Sequence, residues 1–229
     1  MNSIKTTAFI VLLFLMGFST QAQTSETRNP GKFTTIESGG SWDVFVKIGN
    51  KDEVRIEAEN IDLDKVITEL DGNKLKLKLE KGSYKNVRLK FYITMRDLEG
   101  LGSSGSGSIN VEDNIETDRL NLGVSGSGLI HFRNIYARSI NAGLSGSGDI
   151  VIEGGSVESI NVGQSGSGDF EAIDLEAEEV TIGKSGSGST HVTALNILKV
   201  GASGSGNVYY RGEPQLQIGV SGSTKVVKQ

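Results

Sequence analysis

From Phe33 onward, apolar and polar residues alternate with period two in short runs, the pattern of strands with one buried face. Trp42, Val44, Val46 and Ile48 alternate with Asp43, Phe45 and Lys47, and Val54 and Ile56 with Glu53, Arg55 and Glu57. Leu75, Leu77 and Leu79 alternate with Lys74, Lys76, Lys78 and Glu80, just after a turn signal at Asp71-Gly72. Val87, Leu89, Phe91 and Ile93 predict one more strand. Ile61 to Leu70, which opens at Asn60 with Asp62 and Asp64 near its start, reads as a turn or two of helix.

Beyond Glu99 the alternation becomes a repeat. Ser-Gly-Ser-Gly begins at Ser104, Ser125, Ser145, Ser165, Ser185 and Ser203, and Ser-Gly-Ser-Thr at Ser221, with spacings of 21, 20, 20, 20, 18 and 18 residues. Aligned on the first Ser, the flanks fall into columns. Gly stands two places before it in every copy: Gly102, Gly123, Gly143, Gly163, Gly183, Gly201 and Gly219. An apolar residue stands three before it, from Leu101 and Leu122 through Val162 to Ile218. Alternating apolar residues follow, such as Ile109 and Val111, Ile130 and Phe132, Ile150 and Ile152. Each unit therefore reads strand, glycine corner, Ser-Gly segment, second corner, strand and return loop. A period near 20 marks a solenoid with one unit per coil. Glycine content and the absence of a 3.6-residue period exclude helical repeats. The expected fold is all-β: a right-handed parallel β-helix, since parallel crossovers take that hand, with an N-terminal β-strand region capping its first end against edge-to-edge pairing.

The column just before the first Ser holds Val124, Leu144, Gln164, Lys184 and Ala202. Lys and Gln are seldom buried without partners, so this column is expected to face solvent. The two Ser of each tetrapeptide would then form an inward hydroxyl ladder.

The N-terminus has the three parts of a secretory signal peptide: Lys5, an apolar run from Ala8 to Phe18, then Ser19-Thr20-Gln21-Ala22. Cleavage after Ala22 predicts an exported mature chain without a transmembrane anchor, periplasmic, surface-bound or extracellular. The expected organisation is a signal peptide at 1–22, a disordered polar lead-in at 23–32, an N-terminal β-rich part at 33–100 and the Ser-Gly solenoid at 101–229. The net charge of −5 disfavours nucleic acid as a partner. The chain has no Cys, which excludes disulfides, thiolate metal sites, a cysteine nucleophile and a lipidated N-terminal cysteine.

The exported N-terminus, the segment FTTIESGGSWDVFVKIG, the strand DGNKLKLKL and the tandem GxSGSG coils together resemble the head GIN domain family, labelled an autotransporter adhesin head and widespread in envelope proteins of Gram-negative bacteria. The resemblance spans Phe33 to the C-terminus. It implies a right-handed β-helix, an extracytoplasmic setting, no catalytic residues and no cofactor. The final STKVVKQ has the makings of neither a membrane barrel nor a sorting module.

Candidate chemistry is sparse. Asp149 and Asp169 share a column on adjacent coils, about 4.8 Å apart along the backbone, a spacing that a retaining glycosidase also uses. They are the basis of an alternative reading as a carbohydrate-active enzyme. His131 and His191 share a column three coils apart, roughly 14 Å, too far to share a metal. The Ser-Gly pairs lack the strand-to-helix setting of a serine nucleophile. No helix or Lys follows them to cradle phosphate. The return loops are charged, most densely at Glu171, Asp174, Glu176, Glu178 and Glu179, the weak candidates for surface binding. The leading expectation is a non-enzymatic envelope or surface module that binds a protein or glycan. A homo-oligomer joined through the exposed last coil at Val226 and Val227 is the other alternative.

Overall fold

A computed structural model describes residues 24–229; the signal peptide expected at 1–22 lies outside the described residues. The first strands are β1 (Thr24–Arg28), β2 (Thr35–Ser38), β3 (Asp43–Ile48) and β4 (Glu53–Glu59). After a 3-10 turn at Leu63–Lys65 come β5 (Val66–Asp71), β6 (Lys74–Leu79) and β7 (Arg88–Met95). The repeats supply β8 (Gly100–Ser103), β9 (Ser108–Val111), β10 (Ile115–Val124), β11 (Leu129–Phe132), β12 (Ile135–Leu144), β13 (Asp149–Ile152) and β14 (Gly155–Gln164). In the next two coils the strands merge into β15 (Phe170–Lys184) and β16 (Thr190–Ala202), and β17 (Val208–Arg211), β18 (Gln215–Val220) and β19 (Val226–Lys228) complete the chain.

Every pairing among β8 to β19 is parallel and sets corresponding positions of successive coils side by side, with register shifts only between β15 and β16. Leu122, Ala142, Val162, Ile182 and Val200 stack in one column, and Ile109, Ile130, Ile150, Phe170 and Thr190 in another. All are buried. Burial of one such aliphatic side chain contributes about 1.5–3 kcal/mol, so each coil is held by its neighbours, as in other solenoids. The structure is the parallel β-solenoid that the columns predict, with about 20 residues per coil.

The parallel ladder does not start at the first Ser-Gly tetrapeptide. The β2 and β3 strands pair in parallel with β8 and β9 on one side, and with β6 and β7 on the other. FTTIESGGSWDVFVKIG is thus a divergent coil, with Ser38-Gly39-Gly40 at the corner. The first end is closed by antiparallel strands: β5 hydrogen-bonds to β6, and β4 to β7. Gly72, in the left-handed region at φ 63°, makes the turn between β5 and β6. The expected helical turns over Ile61 to Leu70 shrink to the 3-10 turn, because Thr68 and Leu70 pair with Leu77 and Leu75 in the sheet.

The polar lead-in is corrected. Residues 24–28 are not disordered: β1 is an antiparallel edge strand on β4. Its polar composition hides it, since backbone pairing and the polar side chains of Thr24 and Arg28 hold it. Arg28 donates to the Leu63 carbonyl at 2.9 Å and to Glu26 at 2.8 Å.

Candidate functional site

The site follows from the side of the coil that precedes each tetrapeptide. Asn121 points out, Leu122 in, Gly123 out, Val124 in and Ser125 out, and parallel stacking repeats this order on each coil. The outward positions therefore form three rows along the solenoid axis. One is an amide row, in which Asn141 Nδ2 donates to Asn121 Oδ1 and Asn161 Nδ2 to Asn141 Oδ1, each at 3.2 Å. The last is the hydroxyl row of Ser104, Ser125, Ser145, Ser165, Ser185 and Ser203. Between them runs the glycine row.

Nothing in the fold asks for glycine in that middle row. A Cβ on Gly123 would meet no atom within 4 Å; on Gly143, Gly163 and Gly183 the nearest neighbour would be a carbonyl oxygen at 3.9–4.0 Å. None of them has a positive φ. Glycine weakens a strand, yet it recurs at all seven copies of this position. Its effect is to lower the floor between two rows of polar side chains. The resulting groove has a volume of about 580 Å³, runs over four coils, and ends against Lys76 and Lys78 of the cap. A shallower trough of about 480 Å³ lies beside it, between the glycine and amide rows.

The groove is nearly neutral, with serine hydroxyls set along a floor and walls that are mostly carbon. Lys76 is held by Asp71 at 2.6 Å and Lys78 by Glu69 at 2.5 Å, both across the β5–β6 pair. The Asp71 carboxylate raises the Lys76 pKa and is itself lowered by it. What remains free for a ligand is the serine hydroxyls of the groove and, in the neighbouring trough, the Asn121, Asn141 and Asn161 amides, groups that both donate and accept.

The glycines inside the tetrapeptide have the opposite character. A Cβ on Gly126, Gly146, Gly166 or Gly186 would lie 1.8–2.0 Å from a carbonyl oxygen of the preceding coil. The backbones approach so closely that only glycine fits. Ser125 and Ser127 donate their backbone N–H to Ser103 and Gly105 across this gap, at 2.9 Å each.

The expected phase of the tetrapeptide is therefore reversed. The first Ser of each copy, and the second, are exposed, while Val124, Leu144, Gln164, Lys184 and Ala202 are buried. The corner exposes carbonyls to the interior, and the two polar side chains satisfy them. Gln164 Nε2 donates to Gly168 O, and Lys184 Nζ to Gly188 O and, at 3.3 Å, to Asn207 O. Thr190 completes the Gln164 amide through a 2.8 Å bond to its Oε1. Burial is tolerated here because both side chains donate to backbone carbonyls, which no side-chain column reveals.

Desolvation pushes the Lys184 pKa below its ordinary value of 10.5, against the smaller opposing pull of Asp169. The folded state thus binds this proton less readily than the unfolded chain. The resulting penalty is fully present below the folded pKa and disappears as pH rises to the ordinary lysine range. Lys184→Leu, which mimics Leu144, is expected to gain stability over the wild type at pH 7. The gain should narrow as pH rises toward 10.5 in urea titrations. A difference that stays constant or widens would show that the charge carries no penalty.

Asp149 and Asp169 do lie on adjacent coils, but both carboxylates hold backbone. Asp149 Oδ1 accepts from the Asp169 N–H at 2.7 Å, and Asp169 Oδ1 from the Ser189 N–H at 2.6 Å. The two histidines lie half-buried on the outer face of the solenoid. His131 pairs with Glu153 at 2.9 Å, and His191 pairs with Glu171 at 2.5 Å and stacks on Tyr209. The acidic candidates do not converge. Glu171 is taken by His191 and Asp174 by Arg211 at 2.8 Å, while Glu176, Glu178 and Glu179 are exposed on another side of the coil. Among the described residues, no group of three or more His, Asp or Glu is placed to hold a metal ion. The one clue to the groove in the sequence was a residue repeated without exception between columns that vary, and it read equally well as a corner.

The fold and its groove define a capped parallel β-solenoid with one regular polar face. Residues 32–214 match the family described as "Putative auto-transporter adhesin, head GIN domain", and the chain belongs to that family. Among solved structures, a "putative adhesin" from Bacteroides fragilis is similar over 91% of this chain and 98% of its own, with a TM-score of 0.83 at 20% identity. A "putative adhesin" from Parabacteroides distasonis is similar over 92% and 98%, with a TM-score of 0.71 at 19% identity. A protein from the same species, described as a "Putative lipid binding protein", covers 90% and 96%, with a TM-score of 0.68 at 22% identity. At such identities the likeness is one of fold. No curated protein matches the chain.

Proposed function

We propose that this protein is an exported, non-catalytic binding module of the cell envelope or surface, and that its groove takes an extended, uncharged glycan strand. The observation that carries the reading is the open glycine row: seven glycines, kept where neither packing nor φ requires them. Each coil adds one hydroxyl to the groove, about 4.8 Å further along the axis, and three coils add an amide to the trough beside it. Such a surface suits a polymer whose own polar groups repeat. An extended peptide binds best where a sheet edge offers unpaired backbone groups. The groove walls are side-chain rows on strands already paired on both sides, which favours sugar hydroxyls over a peptide. The adhesin description of the family and the signal peptide pattern support an extracytoplasmic role. Among the described residues no helix is long and apolar enough to cross a membrane.

The test is retention on linear neutral polysaccharides and glycan arrays. Wild-type protein is expected to bind at least one such polymer without hydrolysing it. Gly143→Val with Gly163→Val should weaken binding about tenfold or more, equivalent to about 1.4 kcal/mol, at unchanged melting temperature, because the new side chains stand in open space. Asp149→Asn with Asp169→Asn should leave binding unchanged, since an amide oxygen still accepts the backbone N–H. Failure to retain any neutral glycan, or equal retention by the valine variant, would overturn the reading. Turnover of a glycan that is lost in the asparagine variant would restore the enzymatic alternative.

A further inference from the structure

The two ends of the solenoid are not equivalent. Among the described residues seven large hydrophobic side chains are markedly exposed; four (Leu216, Ile218, Val220 and Val227) lie in the last coil, and none lies in the capping strands β1, β4 and β5. Leu216, Ile218 and Val220 continue the core columns of Leu198, Val200 and Ala202. Their exposures are 43%, 47% and 38%, against 0%, 3% and 6% one coil earlier. The β18 strand pairs with β16 alone, so its other edge offers a row of unpaired backbone groups.

We infer that the last coil is a docking surface for a second copy of this chain, tail to tail, with β18 antiparallel to its counterpart. Charge and pattern select this occupant. The β18 sequence Gln-Leu-Gln-Ile-Gly-Val has no charged residue, no Pro and no bulge, so pairing with itself opposes no like charges. The cap edges carry Glu26 and Arg28 on β1 and Glu69 and Asp71 on β5. Head-to-tail stacking would strip water from those charges; tail-to-tail pairing leaves them in solvent. The parity of the strand also fits. Antiparallel pairing about a two-fold axis through Ile218 sets Ile218 opposite its copy, Leu216 opposite the copy's Val220, and Gln217 opposite the copy's Gly219. Residues directly opposite point to the same face, so the two cores become continuous. A one-residue slip would turn the apolar set outward. The result is a closed dimer, and the capped ends stop further growth.

Sedimentation equilibrium of the full chain is expected to show a monomer–dimer equilibrium. Ile218→Asp, which sets two carboxylates face to face on the axis, should give only monomer. It should melt near the wild type, because residue 218 is already half exposed. The chain has no cysteine, so Ile218→Cys introduces a single thiol. Antiparallel partners lie about 4.5–5.5 Å apart at Cα, within disulfide range, and mild oxidation should link this variant into covalent dimers. A monomer at every concentration, growth beyond the dimer, a dimer that persists in Ile218→Asp, or failure of the cysteine variant to cross-link would each overturn the inference. None of these outcomes depends on whether the groove binds glycan.

Discussion

Gly166→Ala is expected to cost about 3 kcal/mol or more, the upper range for overpacking. Gly163→Ala, three residues earlier, should leave stability unchanged or raise it by up to about 1 kcal/mol. Both are glycine-to-alanine changes on one coil, so propensity cannot separate them. The surroundings do. A Cβ on Gly166 would lie 1.8 Å from Gly146 O and 2.8 Å from its carbonyl carbon, whereas on Gly163 the nearest atom, Ala142 O, is 3.9 Å away. The clash at Gly166 is with backbone that is itself hydrogen-bonded, since Ser167 N–H donates to Gly146 O at 2.9 Å. Relief requires the coils to part at the corner, and ladders above and below resist that. Urea denaturation of the two variants checks the ranking. Equal midpoints would show that the corner is loose, and that tetrapeptide glycines and row glycines are kept for the same reason.

That contrast also shows how far the sequence could be read. The solenoid, its period and its apolar columns were legible because parallel stacking puts identical positions in identical surroundings, and Leu122, Val162 and Ile182 announce their burial by type. The glycines were legible as a repeat but not as two classes, because the distinction lies in backbone distances between coils. Gln164 and Lys184 misled for a related reason. Their partners, Gly168 O and Gly188 O, are carbonyls, which leave no trace in a pattern of side chains. The β1 strand was hidden because an edge strand needs no apolar face. The groove was hidden because an empty space is marked only by a residue too small to fill it. The divergent coil at Phe33 was half visible: its alternation was clear, but with Gly39-Gly40-Ser41-Trp42 in place of Ser-Gly-Ser-Gly the corner lost its signature.

Val162→Asp should unfold the protein or leave it open to proteolysis at neutral pH. Val162 is 3% exposed and stands between Ala142 and Ile182 in the central apolar column, under the floor of the groove. Its flanking inward residues are Ile160 and Gln164, and the Gln164 amide is already committed to Gly168 O, Ser189 O and Thr190. The one inward cation nearby, Lys184 on the next coil, is already committed to the Gly188 and Asn207 carbonyls, so a carboxylate there would find no free donor. Its burial costs several kcal/mol whether it stays charged or takes up a proton, comparable to the stability of a whole domain. In a solenoid each coil templates the next, so loss of one central coil uncouples those on either side. Circular dichroism should show early loss of β structure, and limited proteolysis should cut near the centre of the repeat. Protonation lessens the penalty, so the variant should recover part of its stability as pH falls through the raised pKa of the buried acid. A variant that melts like the wild type at pH 7 would mean that this column does not face the core.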